Sequence, residues 1–378
     1  MNIAIDLTSI PKKKSGVGRY LYNLIDSLQK IDTENTYYLF IHDDDILGFN
    51  ISNPNFKLID VKSKYLRKVW LRLLWEQFIL PGQLKKYKID LLHSPHYTMP
   101  YFSKVKHVVT FHDMSFFIVP KVHNFVKRYL FRVYMWLSVR RAEAIISDSY
   151  ATLEDIKSIL TVKGANITVV PLGADERFFD SADVDRNLLK SYGIESEYFL
   201  FVGMIDARKN IVRMLKAYNS LPQEIKDKYK FVICGRKNWM YEEVFSYFKE
   251  NNLEKDVIFT DFVRDEDLPN LYRGAKILLY VSIYEGFGLP LVEAMASGLP
   301  CITGNISSMK EVAGDAGIKV NPYKENEIKD AIIELINNRD MYNTLVEKGL
   351  VQAQKYTWSN CAVKTLEAYR AAGPQLEK

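Results

Sequence analysis

Along this chain, apolar runs of four to seven residues alternate with amphipathic stretches of helical period almost from end to end. In the first half the runs read NIAIDL, TYYLFIH, FKLIDV, IDLLHS, HVVTFH, AEAIIS and ITVVPL. In the second half they read YFLFVG, KFVICG, DVIFTD, KILLYV and PCITG. They are rich in β-branched and aromatic residues and continuous rather than alternating, as suits strands buried on both faces of a parallel sheet. Strand–helix alternation predicts the α/β class, and this much of it predicts two doubly wound, Rossmann-like parallel-sheet domains. The first is expected over residues 1–174 and the second over 198–357. Between them, residues 175–197 are charged and poor in apolar period, as expected of a linker with a short helix. A last helix within 358–378 is expected to pack back on the first domain. Ligands of open α/β sheets bind beyond the carboxyl ends of the strands, so two such domains facing one another would leave a central cleft.

Composition changes this picture little. At 378 residues, 48% hydrophobic and 26% charged, the chain can bury sizeable cores without disulfide or metal staples. Cys234, Cys301 and Cys361 show neither a disulfide framework nor zinc spacing, which fits a reducing cytoplasm. The start, MNIAIDLTS, reads as a strand rather than a signal peptide, and no apolar run reaches the roughly 18 residues of a membrane span.

Charge changes it more. Residues 1–173 carry 24 Lys+Arg against 15 Asp+Glu, whereas the remainder carries 27 against 31. Two basic, aromatic segments, Lys62–Trp75 and Lys127–Arg141, lie in the basic half. At helical spacing the first gives an apolar stripe of Leu66, Val69, Trp70, Leu73 and Leu74 beside a row of Lys64, Lys68 and Arg72. Helices of this kind rest on anionic leaflets, so a membrane surface is the expected partner. No nucleic-acid motif is present, and no nucleic-acid partner is expected.

Four segments carry candidate chemistry. YEGFGLPLVEAMASGLP follows the strand KILLYV and places Glu285 in a Gly-rich loop. Pro290 suits the first turn of the helix behind it, Gly298 its C-terminal cap, and Glu293 is expected in that first turn. A helix N-terminus with free amides is an anion site, here flanked by two carboxylates suited to hydroxyl groups. FVGMIDARKN puts Arg208 and Lys209 at the head of a helix, against its dipole, a conflict that a bound diphosphate would resolve. Ser15-Gly16-Val17-Gly18 lets the backbone come close to a ligand ahead of a helix from Arg19. His112-Asp113 stands at the carboxyl end of a strand.

In order and over nearly the whole chain, these segments resemble glycosyltransferase family 4. SGVGRY, HSPHY, VVTFHD, ISDSYAT and VVPLGAD further resemble its bacterial mannosyltransferase-type subgroup of surface-polysaccharide synthesis. The resemblance implies the GT-B fold and a nucleotide-diphosphate sugar as donor, with GDP-mannose first and UDP- or dTDP-sugars as alternatives. It implies a glycan acceptor, lipid-linked as in O-antigen assembly, and a peripheral place on the inner face of the plasma membrane. By the same resemblance Glu285 and His112 meet the transferred sugar, Glu293 the ribose, and Arg208 and Lys209 the diphosphate beside Gly16 and Gly18. The amides of Phe287, Gly288 and Leu289 complete the donor site, with Val263 and Asp265 by the base. Configuration is retained through same-face attack assisted by the departing phosphate.

No cofactor or metal is expected. Asp43-Asp44-Asp45 and Asp183-Val184-Asp185 each satisfy Asp-x-Asp, but hard cations need more converging oxygens, and His93 with His96 are too few for zinc. Two other classes stay open: a nucleotide-sugar epimerase or phosphorylase on the same fold, and a binding subunit recruited to membrane through the basic half.

Overall fold

A computed structural model describes residues 1–10, 16–42, 45, 48–62, 64–238 and 240–373. The chain forms two compact units. The first comprises Met1–Ile118, Phe125–Gly173 and the C-terminal segment from Trp358; the second comprises Val119–Asn124 and Ala174–Thr357.

The first unit is built on β1 (Asn2–Asp6), β2 (Thr36–Ile41), β3 (Phe56–Asp60), β4 (Leu91–Ser94), β5 (Lys106–Phe111), β6 (Ala144–Ser147) and β7 (Asn166–Val169). They lie in the order β3-β2-β1-β4-β5-β6-β7, every neighbouring pair parallel. The second is built on β8 (Glu197–Val202), β9 (Tyr229–Cys234), β10 (Val257–Asp261), β11 (Ile277–Tyr280), β12 (Cys301–Gly304) and β13 (Gly317–Val320). Its order is β10-β9-β8-β11-β12-β13, again parallel throughout. Continuous burial explains the unbroken apolar runs: Ile3, Ala4 and Ile5 of β1 and Tyr198 to Phe201 of β8 are all fully buried, covered on both faces.

Both orders reverse at one place, between β1 and β4 and between β8 and β11. At such a switch point the chain leaves neighbouring strands in opposite directions and opens a crevice at their carboxyl ends. The segments behind these four strands are therefore the ones positioned for ligands. Strand β13 was not among the expected runs, because it is an edge strand with Lys319 exposed and offers only a broken apolar signal.

The helix Trp358–Ala372 packs against the helix Gly16–Ile31 and against β5, β6 and β7. Tyr369 reaches the buried His93 at the end of β4, with its hydroxyl 2.6 Å from Nδ1. Residues 175–197, expected as a linker, belong to the second unit. The amide of Asp185 donates to Asn270 Oδ1 at 2.8 Å, Asn270 returns a bond to the Asp185 carbonyl at 3.0 Å, and Phe178 is buried against Tyr272. Strand β8 starts at Glu197, one residue earlier than expected.

The first basic segment differs from its expected stripe. A 3-10 turn, Lys64–Arg67, precedes a separate helix, Val69–Phe78, so the helical phase restarts at Lys68. Leu66, Leu73 and Trp75 turn inward, whereas Trp70 is 58% and Leu74 48% exposed. Arg72 does not join the expected basic row: it is buried, 3.0 Å from Glu76, 3.2 Å from Thr98 and 3.9 Å from Asp6. The side chain of Lys64 lies outside the described set. Among the described residues, no helix is long and apolar enough to cross a membrane.

Candidate functional site

Behind β8 the chain makes a turn that side chains hold in place. Gly203 and Gly235 bring the ends of β8 and β9 so close that a Cβ on Gly235 would stand 1.8 Å from the Gly203 carbonyl oxygen. Asp206 caps the 3-10 turn Ala207–Lys209 by accepting the Arg208 amide at 3.0 Å. Asn210, at φ 60°, then starts the helix Ile211–Asn219. Its side-chain amide donates to the carbonyls of Val281 at 2.9 Å and Pro322 at 2.7 Å, and the Ile283 amide donates to the Arg208 carbonyl at 2.8 Å. The loops behind β8 and β11 are thereby stitched together. Arg208 and Lys209 sit in the turn before the helix, not in its first turn, so the opposing dipole matters less than the neighbour they face.

That neighbour is Glu285. Lys209 Nζ donates to its Oε1 at 2.6 Å and Arg208 Nη1 lies 3.4 Å from its Oε2, while Lys209 also donates to the Tyr280 hydroxyl at 3.2 Å. The carboxylate is 6% exposed. Burial alone would raise its pKa, but Lys209 and Arg208 outweigh that and hold it below the usual carboxylate range. Ser307 and Ser308 fasten the loop from behind, the Ser308 hydroxyl lying 2.9 Å from the carbonyls of both Glu285 and Phe287.

Gly288, at φ 105°, leads into the helix Leu289–Ala296 with Pro290 in its first turn, and Gly298, at φ 68°, follows its end. The conformations need glycine because a Cβ is strained at these angles. At the start of this helix Pro290 carries no N–H and the Leu291 amide donates to the Gly288 carbonyl at 3.0 Å, so the Gly288 and Leu289 amides are the ones a bound anion would meet. Glu293 is the fifth residue of the helix and so lies in its second turn, not its first. It is 3% exposed and accepts from the Tyr272 hydroxyl at 2.8 Å. The Phe287 ring is buried edge-on to Tyr356, Val263 is buried just beyond β10, and Asp265 is half-buried two residues on.

In the first unit, Gly16 and Gly18 begin the helix Gly16–Ile31 rather than precede one from Arg19; Ser15 lies outside the described residues. Among the described residues, a Cβ on Gly16 would meet nothing within 4 Å, and one on Gly18 only Ile10 at 3.8 Å. His112, behind β5, is bound at both nitrogens: Nδ1 lies 2.8 Å from Asp148 Oδ2 and Nε2 2.9 Å from the Pro95 carbonyl. A carbonyl can only accept, so Nε2 carries a proton. Burial disfavours the charged ring, but Asp148 and Asp113 more than offset it and raise its pKa above the ordinary value. Burial likewise raises Asp148. His93 is buried between Tyr369 and Thr110, which fills both nitrogens, and burial pushes its pKa down to about 3.

The structure thus brings Arg208, Lys209 and Glu285 into one cluster, with Glu293 on the helix behind it. Sequence reasoning did not single out Asp148, Asp206, Asn210, Tyr280 or the serine pair. Asp148 stood in the quoted ISDSYAT segment just past β6 and could have been found by its place. Among the described residues no three metal-ligating side chains converge. Asp43 and Asp44 lie outside the described residues, and Asp185 caps the helix Arg186–Ser191.

The family model of glycosyltransferase family 4 matches residues 14–178, and that of glycosyl transferases group 1 matches residues 186–351. The O-antigen chain mannosyltransferase B of Escherichia coli is 29% identical over 76% of this chain and 76% of its own. The serotype-specific mannosyltransferase WbdA of Escherichia coli is 29% identical over 61% of this chain, which matches only 29% of that protein's length. Among solved structures, sucrose-phosphate synthase of Thermosynechococcus elongatus aligns with a TM-score of 0.79 at 18% identity, covering 98% of both chains. With one model on each unit and a doubly wound parallel sheet in each, this chain carries a glycosyltransferase family 4 domain and a glycosyl transferases group 1 domain and is a glycosyltransferase of the GT-B fold.

Proposed function

We propose that the protein is a retaining, metal-independent hexosyltransferase that takes its sugar from a nucleotide diphosphate and passes it to a lipid-linked glycan. GDP-mannose is the first donor to test, since the relatives named above are mannosyltransferases. The observation that carries the reading is the Lys209–Glu285–Arg208 cluster at the β8/β11 switch point, beside the start of the helix Leu289–Ala296. An ammonium has three N–H donors, and Glu285 and Tyr280 account for two of those on Lys209. As the anomeric bond breaks, charge grows on the leaving diphosphate. Arg208, Lys209 and the helix amides stabilise it in place, the electrostatic contribution that usually dominates. Glu285, held ionised, stabilises the oxocarbenium-like sugar and orients its hydroxyls, and Glu293 takes the ribose.

The basic half is the membrane-facing part of this reading, on the cytoplasmic leaflet. In the helix Phe125–Arg141, Phe125, Tyr129, Val133 and Trp136 are exposed along one face, and the Arg140 guanidinium lies 3.4 Å over the Trp136 ring. Near an anionic surface each such cation contributes about 1 kcal/mol. The test is a nucleotide-sugar panel assayed for transfer to lipid-linked glycan, with and without a chelator. GDP-mannose is expected to be used equally well in both, and Glu285→Gln to bind donor but turn over at least a hundredfold more slowly. Loss of all transfer in chelator overturns the reading.

A further inference from the structure

A cavity lies on the first unit. It is about 750 Å3, the size of a small-molecule site. Phe40, Leu66 and Trp75 form its floor and belong to a core cluster. Its rim is apolar yet open to water: Tyr65 is 72%, Leu74 48%, Phe78 74% and Ile79 53% exposed. Four large apolar side chains around one groove are more than a folded chain leaves bare without a use. Lys62 and Lys86 stand in the lining, and neither makes an ion pair among the described residues. The one acid there, Asp60, accepts the Lys62 backbone amide at 2.7 Å. The groove's lining includes Asp60, Val61 and Lys62 at the carboxyl end of β3, the end of the sheet at which β4 and β5 present His96 and His112.

We propose that this groove takes the apolar chain of a phosphate-bearing lipid, with Lys62 and Lys86 meeting the phosphate. The floor chooses the occupant. A hydrocarbon chain has no polar groups to satisfy, whereas a peptide would bury amides against Phe40, Leu66 and Trp75 without partners. The two cations complement a phosphate and would be idle against a neutral chain. The proposal rests on the reading that the acceptor is lipid-linked, and it gives that acceptor's anchor a place on the enzyme.

The experiment uses the whole chain and n-alkyl phosphates of about six to twelve carbons below their micelle concentrations, followed by calorimetry. Affinity is expected to rise about fourfold per added methylene until the groove is full. Alcohols of equal length should bind at least tenfold more weakly, and inorganic phosphate not measurably. Phe78→Asp and Leu74→Asp change exposed positions and should keep the melting temperature while weakening the decyl phosphate complex at least tenfold. Lys62→Glu with Lys86→Glu should erase the preference for phosphate over alcohol. Absence of chain-length dependence, or unchanged binding in Phe78→Asp, overturns the proposal. Self-association that Phe78→Asp abolishes, with no alkyl phosphate bound, overturns it in favour of a second copy. Donor turnover by the unaltered protein is scored separately: transfer without alkyl phosphate binding rejects the groove alone, and binding without transfer rejects the proposed function alone.

Discussion

Without its ammonium, Lys209→Ala leaves Glu285, 6% exposed, with Arg208 at 3.4 Å as its remaining cation. Breaking a buried pair in this way costs about 3–5 kcal/mol, and the remaining guanidinium puts the cost at the lower end. Thermal melts should show that loss in Lys209→Ala and its recovery in Lys209→Ala with Glu285→Gln, while transfer stays absent in both. A melt that the second change does not restore would show that the cluster is not the source of the loss. His112 gives a pH test. Its pKa is raised in the folded protein, so its stabilisation is whole below about pH 6.5 and is lost as pH climbs through the folded value. Melts from pH 6 to 9 should fall accordingly, and Asp148→Asn, which removes the partner at 2.8 Å, should flatten that slope. Both clusters explain what was hard to read at this scale. Glu285, Arg208 and Lys209 stood in recognisable segments, but that they touch one another is a property of two loops meeting. Arg72 was placed in a basic row beside the apolar stripe; Glu76 is on its own helix, but its other partners, Asp6 and Thr98, come from elsewhere in the chain.

Strands proved easier to read than helix ends. A run buried on both faces writes itself as consecutive apolar residues, and only the half-exposed edge strand β13 went unseen. Helix starts are ambiguous because glycine marks both loops and close approaches. Gly16 and Gly18 looked like the end of a loop yet open the helix Gly16–Ile31. Ala gains up to about 1 kcal/mol over Gly inside a helix, and a methyl on Gly16 meets no atom of the described residues within 4 Å. Gly16→Ala should therefore raise the melting temperature. If the glycine is kept to let the donor approach, the same change should raise the donor KM severalfold. Unchanged kinetics in a stabilised variant would remove Gly16 from the donor site.

At the scale of the molecule, the division into two doubly wound units was legible because strand–helix alternation repeats with one interruption. The segment at that interruption was misjudged: its charge suggested a linker, yet Asn270 and Tyr272 hold residues around Asp185 and Phe178 in the second unit. The first unit is discontinuous, closed by the helix Trp358–Ala372 against β5, β6, β7 and the helix Gly16–Ile31. That closure has a consequence during synthesis. At about 5–20 residues per second, the ribosome needs on the order of 10–40 s to make residues 174–357 after the seven strands of the first sheet have emerged. Through that interval the side of β5, β6 and β7 that this helix covers and the inner side of the first helix wait bare, open to chaperones and to aggregation, while the later-made unit already has every part it needs to fold.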